Sequence, residues 1–397
     1  MAYLEKISRW DPFKMASKPK LLYLVTEDWY FCSHRLSLAV AARDAGYEVS
    51  VVTRVNQHAD VIRAAGLKLI PLQRMRRSSI HPLQELISLR ELFHIYYRER
   101  PDLTHHVGLK PVVYGSLVAR LLGVLGVVNA LAGLGFVFSS DRIFARVLRP
   151  VFRQLLSYLL KHRNTKVIVQ NEGDFDVLTK SVDIASKNVR LIRGAGVDLR
   201  FYNEQQPTVQ PPLVVLVARM LWDKGVGDFV EAATRIRSAG IPARFALVGV
   251  PDPDNPTSVS ELQLQTWHNS GDVEWWGYRA DIPAVLAMSS IFCLPTFYGE
   301  GVPKALIEAM ASSRAIVTTD IPGCRELVAE GRNGILVKPR DVSALSSALE
   351  ALIRDPERCR QMGIAGRAMV EQSLSLSQVL KETLALYAEL MPAVVAA

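Results

Sequence analysis

At 397 residues the chain is too long for one ordinary α/β core and suits two domains of about 200 residues each. A hydrophobic share of 49% with 22% charged residues excludes a disordered or low-complexity protein. Its 47 Lys and Arg against 39 Asp and Glu leave a net charge of +8, which favours phosphorylated ligands or an anionic surface; nucleic acid is not expected, because no helix-turn-helix, zinc-finger or aromatic-basic pattern presents the charge.

The opening stretch, MAYLEKISRWDPFKMASKPK, is charged throughout and lacks the apolar run of about 7 to 15 residues that a secretory signal needs, so a cytoplasmic protein is expected. Residues 20–26 (KLLYLVT) read as a buried strand, 36–45 as an amphipathic helix stopped by Gly46, and 48–53 as a second strand, together a βαβ unit. Further strands are expected at 68–71, 103–107, 124–130, 166–170 and 189–192, with helical stretches between most of them, which predicts a parallel sheet covered on both faces.

Arg74, Arg76 and Arg77 precede an amphipathic segment at 81–100. Against an anionic leaflet three such charges are worth about 3 kcal/mol, roughly a hundredfold in partitioning, so peripheral contact with the inner face of the cytoplasmic membrane is expected here. The run 121–138 is long enough to cross a bilayer, yet Gly123, Gly126, Gly133 and Gly135 interrupt it; a helix end, a buried strand and a glycine loop are expected instead. A second basic segment at 142–161, broken or restarted at Pro150, reads as an ordinary domain helix with its apolar side on the core. In QNEGD, 170–174, Asn171 reads as a helix cap, and no chemistry is assigned.

Residues 203–212 (NEQQPTVQPP) are polar and Pro-rich with no apolar period, as an interdomain linker is. Beyond them a second series of strands is expected at 213–218, 244–248, 273–276, 291–294, 315–318 and 334–337, so both halves read as doubly wound α/β units. The expected division is 1–205 and 206–375, with the helical end, 376–397, crossing back onto the first domain. Ligands of such sheets bind at the C-terminal strand ends, here in the gap between the domains. Cys32, Cys293, Cys324 and Cys359 lack the paired spacing of metal or redox sites; they read as reduced thiols, and no metal site is expected.

Two segments carry the chemistry. In VARMLWDKG, Arg219 stands at the end of the strand 213–218 and Lys224 five residues later, before a helix; two cations at one strand end neutralise a diphosphate, and Arg binds it bidentately. In YGEGVPKALIEAMA, after the strand 291–294, Glu300 sits on the loop, Pro303 suits the first helical turn, and Glu308 lies on the helix behind it. Gly301 permits close backbone approach, and the free N–H groups of the helix start receive hydroxyl or phosphate oxygens.

With Arg219 and Lys224 upstream of two Glu separated by seven residues, Glu300 and Glu308, the chain resembles the retaining glycosyltransferases of family 4 through nearly its whole length. That family has two facing Rossmann-like domains, the GT-B architecture. The resemblance implies that Arg219 and Lys224 hold the diphosphate of a nucleotide-sugar donor and that Glu308 takes the ribose hydroxyls. It implies that Glu300, with the backbone of Gly301, Val302 and Pro303, addresses the sugar. Front-face transfer with retention, the leaving phosphate taking the acceptor proton, needs no metal cofactor.

TEDWYFCSHRLSLAVAARDAGYEVSVVT, HHVGLKPVVYGSLVARLLG and AGLGFVF are similar to a branch that builds O-antigen, capsule or other lipid-linked glycans. This implies a UDP-sugar donor, often an N-acetylhexosamine, and an acceptor on a polyprenyl diphosphate. Many members place glycines after the first strand, where this chain is expected to have a loop, 27–33, that carries Asp28, Trp29 and Tyr30; Gly133 and Gly135 are the alternative approaches to the donor. The family pattern of Asp, two residues, His, one residue, His is met by Asp102 and His105, with Val107 in place of the second His. His105 is thereby a candidate catalytic contact to the sugar, and His106 and His34 are candidate contacts to donor or acceptor. RGAGVD, 193–198, matches the glycine turn that closes the first domain. Two other classes fit the architecture, a UDP-sugar 2-epimerase and a noncatalytic sugar or lipid-phosphate binding protein; incubation with donor alone, and nucleotide release on adding acceptor, separate them.

Overall fold

The computed structural model describes residues 18–76, 81–133, 143–202, 210–297 and 301–391, with backbone alone over 143–148. Arg77, Gly135 and Glu300, and most of the linker at 203–212, lie outside the described residues.

Among the described residues, seven strands form the first sheet: β1 (Lys20–Glu27), β2 (Glu48–Arg54), β3 (Lys68–Pro71), β4 (Leu103–Val107), β5 (Gly126–Ala130), β6 (Thr165–Val169) and β7 (Val189–Leu191). They lie in the order β3-β2-β1-β4-β5-β6-β7, every pair parallel. The second sheet holds β8 (Leu213–Val217), β9 (Arg244–Val248), β10 (Glu274–Trp275), β11 (Ile291–Leu294), β12 (Ala315–Thr319) and β13 (Gly334–Val337), in the order β10-β9-β8-β11-β12-β13 and again parallel. Parallel sheets are covered on both faces, which is why their strands are near-continuous apolar runs such as LLYLV and LVVLV. The strand order reverses between β1 and β4 and between β8 and β11, and at such a switch point a crevice opens outside the C-terminal strand ends.

The helices of the first half are α1 (Asp28–His34), α2 (Leu36–Asp44), α3 (Ala59–Ala64), α4 (Pro82–Glu99), α5 (Leu109–Leu122), α6 (Ile143–Leu160) and the short α7 (Glu172–Asp176). Those of the second are α8 (Val226–Ser238), α9 (Glu261–Asn269), α10 (Ile282–Met288), α11 (Lys304–Ala311), α12 (Pro322–Arg325), α13 (Val342–Ile353) and α14 (Pro356–Ser373); α15 (Leu376–Leu390) follows. One face of the first sheet meets α4 and α5 through Leu92, Ile95, Tyr96 and Val118. The other face meets α1, α2 and α15 through Phe31, Leu38, Leu386 and Tyr387. Although it comes last, α15 is therefore part of the first core.

Two expectations from sequence change. The segment after β1 is helix α1 rather than a loop, because the buried Asp28 carboxylate anchors its start: it accepts the backbone N–H groups of Trp29 (2.7 Å), Asn56 (2.7 Å) and His58 (3.0 Å). Helix α6 runs on through Pro150, and its apolar residues do not all meet the core: Leu156 and Leu160 are buried, whereas Val151 is 67% and Tyr158 56% exposed. On α4, Leu86 (64%) and Ile87 (46%) are likewise exposed. No described helix is long and apolar enough to cross a membrane.

Candidate functional site

Strand β8 delivers Arg219 two residues past its end, and Lys224 follows in a single 3-10 turn. That turn packs on the end of β11, where the Asp223 carbonyl accepts the Phe297 N–H at 3.1 Å and the Thr296 hydroxyl at 3.0 Å. Gly225 closes the turn at φ +72°, where a Cβ would stand 2.1 Å from the Pro295 carbonyl oxygen; only glycine fits so near that backbone. Arg219 is paired with Asp252, and its guanidinium carbon lies 5.2 Å from the centre of the Trp29 ring, which reaches across from α1.

The second cluster stands at the start of α11, whose N-cap is Pro303. Lys304 Nζ donates to the Ser33 carbonyl of the first half at 2.9 Å and lies 3.2 Å from the Glu308 carboxylate one turn on. Burial, then the charge of Glu308 to which it hydrogen-bonds, holds the Tyr202 hydroxyl well above the usual phenol range. Glu308 thus sits between an ammonium and a hydroxyl. On α1, His34 stacks on Tyr30 with ring centres 4.2 Å apart. Burial first, then Lys304 and Arg35 and more weakly Lys224, press its imidazole down to about 3, with the Tyr30 backbone opposing. The structure therefore gathers Arg219, Lys224, Lys304 and Glu308 at the C-terminal ends of β8 and β11, opposite Trp29 and His34 of α1.

Other groups expected at the site already have partners within the protein. The backbone N–H groups expected to face a sugar are engaged by the first half: Gly301 donates to the Ala132 carbonyl at 3.2 Å and Val302 to Gln170 Oε1 at 3.0 Å, while Pro303 has no N–H to give. Gly133, with φ +97°, follows Ala132 at this contact. His105 and His106 are fully buried in β4. His105 Nδ1 lies 2.5 Å from the Tyr387 hydroxyl, and its ring stacks on Tyr23; burial, then Arg35 and His106, keeps it well below the usual imidazole range. His106 donates from Nδ1 to Asn129 Oδ1 at 2.7 Å and accepts the Tyr96 hydroxyl at Nε2 (2.9 Å), and burial presses it to about 4. Arg74 and Arg76 are exposed, the Arg74 N–H donating to Glu91 at 2.8 Å.

The sequence alone does not single out Trp29, Gln170, Tyr202, Asp252 or Lys304. Lys304 lies inside the Glu-flanked motif and Gln170 beside the Asn171 cap, so both are within its reach; the partners of the other three lie tens to hundreds of residues away.

Two family descriptions match the chain, "Glycosyl transferase 4-like" over residues 20–171 and "Glycosyl transferases group 1" over residues 211–355. Over 334 residues it is 28% identical to the N,N'-diacetylbacillosaminyl-diphospho-undecaprenol alpha-1,3-N-acetylgalactosaminyltransferase of Campylobacter jejuni, spanning 81% of this chain and 86% of that protein. Over 314 residues it is 24% identical to the UDP-Gal:alpha-D-GlcNAc-diphosphoundecaprenol alpha-1,3-galactosyltransferase of Escherichia coli, spanning 74% and 79%. Among solved structures it shares its fold with Anabaena HepE in complex with UDP and glucose, at TM-score 0.75 and 17% identity over 93% of this chain and 99% of that one. It shares it equally with sucrose-phosphate synthase of Thermosynechococcus elongatus, at TM-score 0.76 and 19% identity over 95% and 100%. The arrangement of two facing parallel sheets is GT-B.

Proposed function

Because the chain belongs to the glycosyltransferases with a 4-like first domain and a group 1 second domain, we propose that it transfers a hexose or N-acetylhexosamine with retention from a nucleotide sugar, UDP-linked, to a polyprenyl-diphosphate-linked or glycan acceptor. The observation that carries this reading is the gathering of Arg219, Lys224 and Lys304 with Glu308 at two adjacent strand ends. The acceptor chemistry is supported by the names of the two relatives, both of which act on diphospho-undecaprenol-linked sugars.

In this reading the second half, 206–375, holds the donor and the first, 1–205, the acceptor. Arg219 exchanges its Asp252 partner for the donor diphosphate, and Lys224 binds the same group as a point charge. Both stabilise negative charge as the sugar–phosphate bond breaks, and in a site of this kind that stabilisation outweighs every other contribution to the rate. Glu308 takes the ribose hydroxyls, and Glu300, by its place in the motif, the sugar. The leaving phosphate accepts the proton of the incoming hydroxyl on the same face, which gives retention. The cations supply the charge that a metal supplies elsewhere, so turnover is expected to continue undiminished in excess EDTA.

The exposed Leu86 and Ile87 of α4, with Arg74 and Arg76 nearby, support a peripheral contact with an anionic membrane on the acceptor side. The decisive experiment screens UDP- and GDP-sugars for thermal stabilisation, where a donor at a hundred times its Kd adds about 2.7 kcal/mol, and then follows transfer to a polyprenyl-diphosphate sugar. A chain stabilised by no nucleotide sugar, or one that interconverts the donor alone, would overturn the assignment.

A further inference from the structure

We propose that Gln170, one residue beyond β6, is a positioning residue that registers the donor half of the enzyme against the acceptor half; this rests on the glycosyltransferase reading above. Its amide oxygen accepts the Val302 N–H at 3.0 Å, in a bond between residues 132 apart that is buried from solvent. Gln170 itself is only 5% exposed. Gly301 is shaped to this contact: a Cβ there would lie 2.2 Å from Gln170 Oε1 and 3.0 Å from the Ala132 carbonyl carbon. The missing side chain at Gly301 makes room for the other half of the molecule rather than for a ligand.

The same short segment holds a second point. Glu172 N–H donates to Glu326 Oε1 at 2.7 Å, and the other oxygen of Glu326 takes Arg193 Nε at 2.8 Å. Residues 170–172 thus grip the approach to α11 and the end of α12 together. Two other contacts across the gap, Lys304 to Ser33 and Arg54 to Asp254, are open to solvent and tolerate sliding, while the Gly301 N–H to Ala132 carbonyl bond holds the same segment beside Gln170. A buried N–H that loses its acceptor has no water to replace it, so the Gln170–Val302 bond admits one register.

The division of labour gives the proposal a distinct signature. Arg219, Lys224 and Glu308 all belong to the second half and grip the nucleotide whether or not Gln170 is present. The acceptor hydroxyl comes from the first half and must meet the sugar carbon at about 3 to 3.5 Å, so an error in register is felt in the transfer step.

The test uses the full-length enzyme with Gln170→Met, which keeps the length and loses the acceptor, and Gln170→Glu, which keeps an acceptor oxygen. Gln170→Met is expected to lower kcat at least about tenfold while Kd for UDP and KM for the donor stay within about twofold, and Gln170→Glu to recover most of kcat. Amide hydrogen exchange gives a readout independent of turnover: peptides containing Val302 should lose protection in Gln170→Met and keep it in Gln170→Glu, with β8 and β9 unchanged. Parental kcat in Gln170→Met, or parental protection at Val302, sinks the proposal and leaves the glycosyltransferase standing. Equal losses of nucleotide affinity and turnover also sink it, since Gln170 would then serve general stability. A parent chain that transfers sugar from no donor removes the reading and the proposal together.

Discussion

Arg219 reaches any ligand already paired, so an arriving diphosphate competes with Asp252 for the guanidinium. Arg219→Ala and Lys224→Ala should each remove a charge-assisted contact of about 1.5 to 3 kcal/mol, weakening UDP roughly 10- to 150-fold by calorimetry. Glu308→Ala is expected to weaken nucleotide binding, whereas Glu300→Ala lowers turnover more than affinity; equal and negligible effects at both would reject their roles. The buried histidines set a pH dependence of stability. His106 falls from 6.5 to about 4 in the folded state, so the unfolded chain binds more protons between those values. Its contribution, on the order of 3 kcal/mol, is fully present above about pH 6.5 and lost as pH falls toward 4. His34, at about 3, and His105 act in the same direction. Urea midpoints should therefore drop from pH 7 to pH 5, and His106→Asn, which cannot take a charge, should flatten that slope; a flat parental profile would contradict the burial argument.

Among the elements, α4 and α6 both turn apolar residues to solvent: Leu86 and Ile87 on one, Val151 and Tyr158 on the other. Changing Arg74, Arg76 and Arg77 together to Ser should cut flotation with anionic vesicles roughly a hundredfold, and unchanged flotation would remove the membrane contact. Most elements are legible in the sequence, because a strand buried on both faces is an apolar run and the turns between carry glycine. The strand read at 124–130 starts at Gly126 instead: Val124 N–H bonds back to Ala119 while Gly123 closes α5, so the first two residues belong to the turn. That Arg219, Lys224 and Glu308 lie near one another is equally readable, since each belongs to the segment that follows a strand of one parallel sheet, Glu308 on the helix after β11. What each polar group touches is not. His105 sits in a strand buried on both sides, where polarity says nothing of exposure, and its partner Tyr387 is 282 residues away. Asp28 turns the expected loop into α1 through N–H groups 28 and 30 residues on, a contact with no local signal.

At the scale of the molecule, α15 carries the chain back from the second half into the first core, where its Tyr387 hydroxyl stands 2.7 Å from that of Tyr23 and 2.5 Å from His105. Tyr387→Ala should cost about 3 to 5 kcal/mol of stability through the cavity it leaves, and Tyr387→Phe about 1 to 3 kcal/mol through the unpaired groups, measured by chemical denaturation. A smaller loss from Tyr387→Ala than from Tyr387→Phe would show that the ring packs little. The position of α15 also bears on how the protein is made. On the ribosome the strands of the first half emerge early, yet the helix that covers one side of them is synthesised roughly 190 residues later, about 10 to 40 s at ordinary elongation speeds of about 5 to 20 residues per second. Throughout that interval the apolar face around Tyr23 is covered by α1 and α2 alone, and the part that Leu386 and Tyr387 later fill is where a chaperone would be expected to hold it.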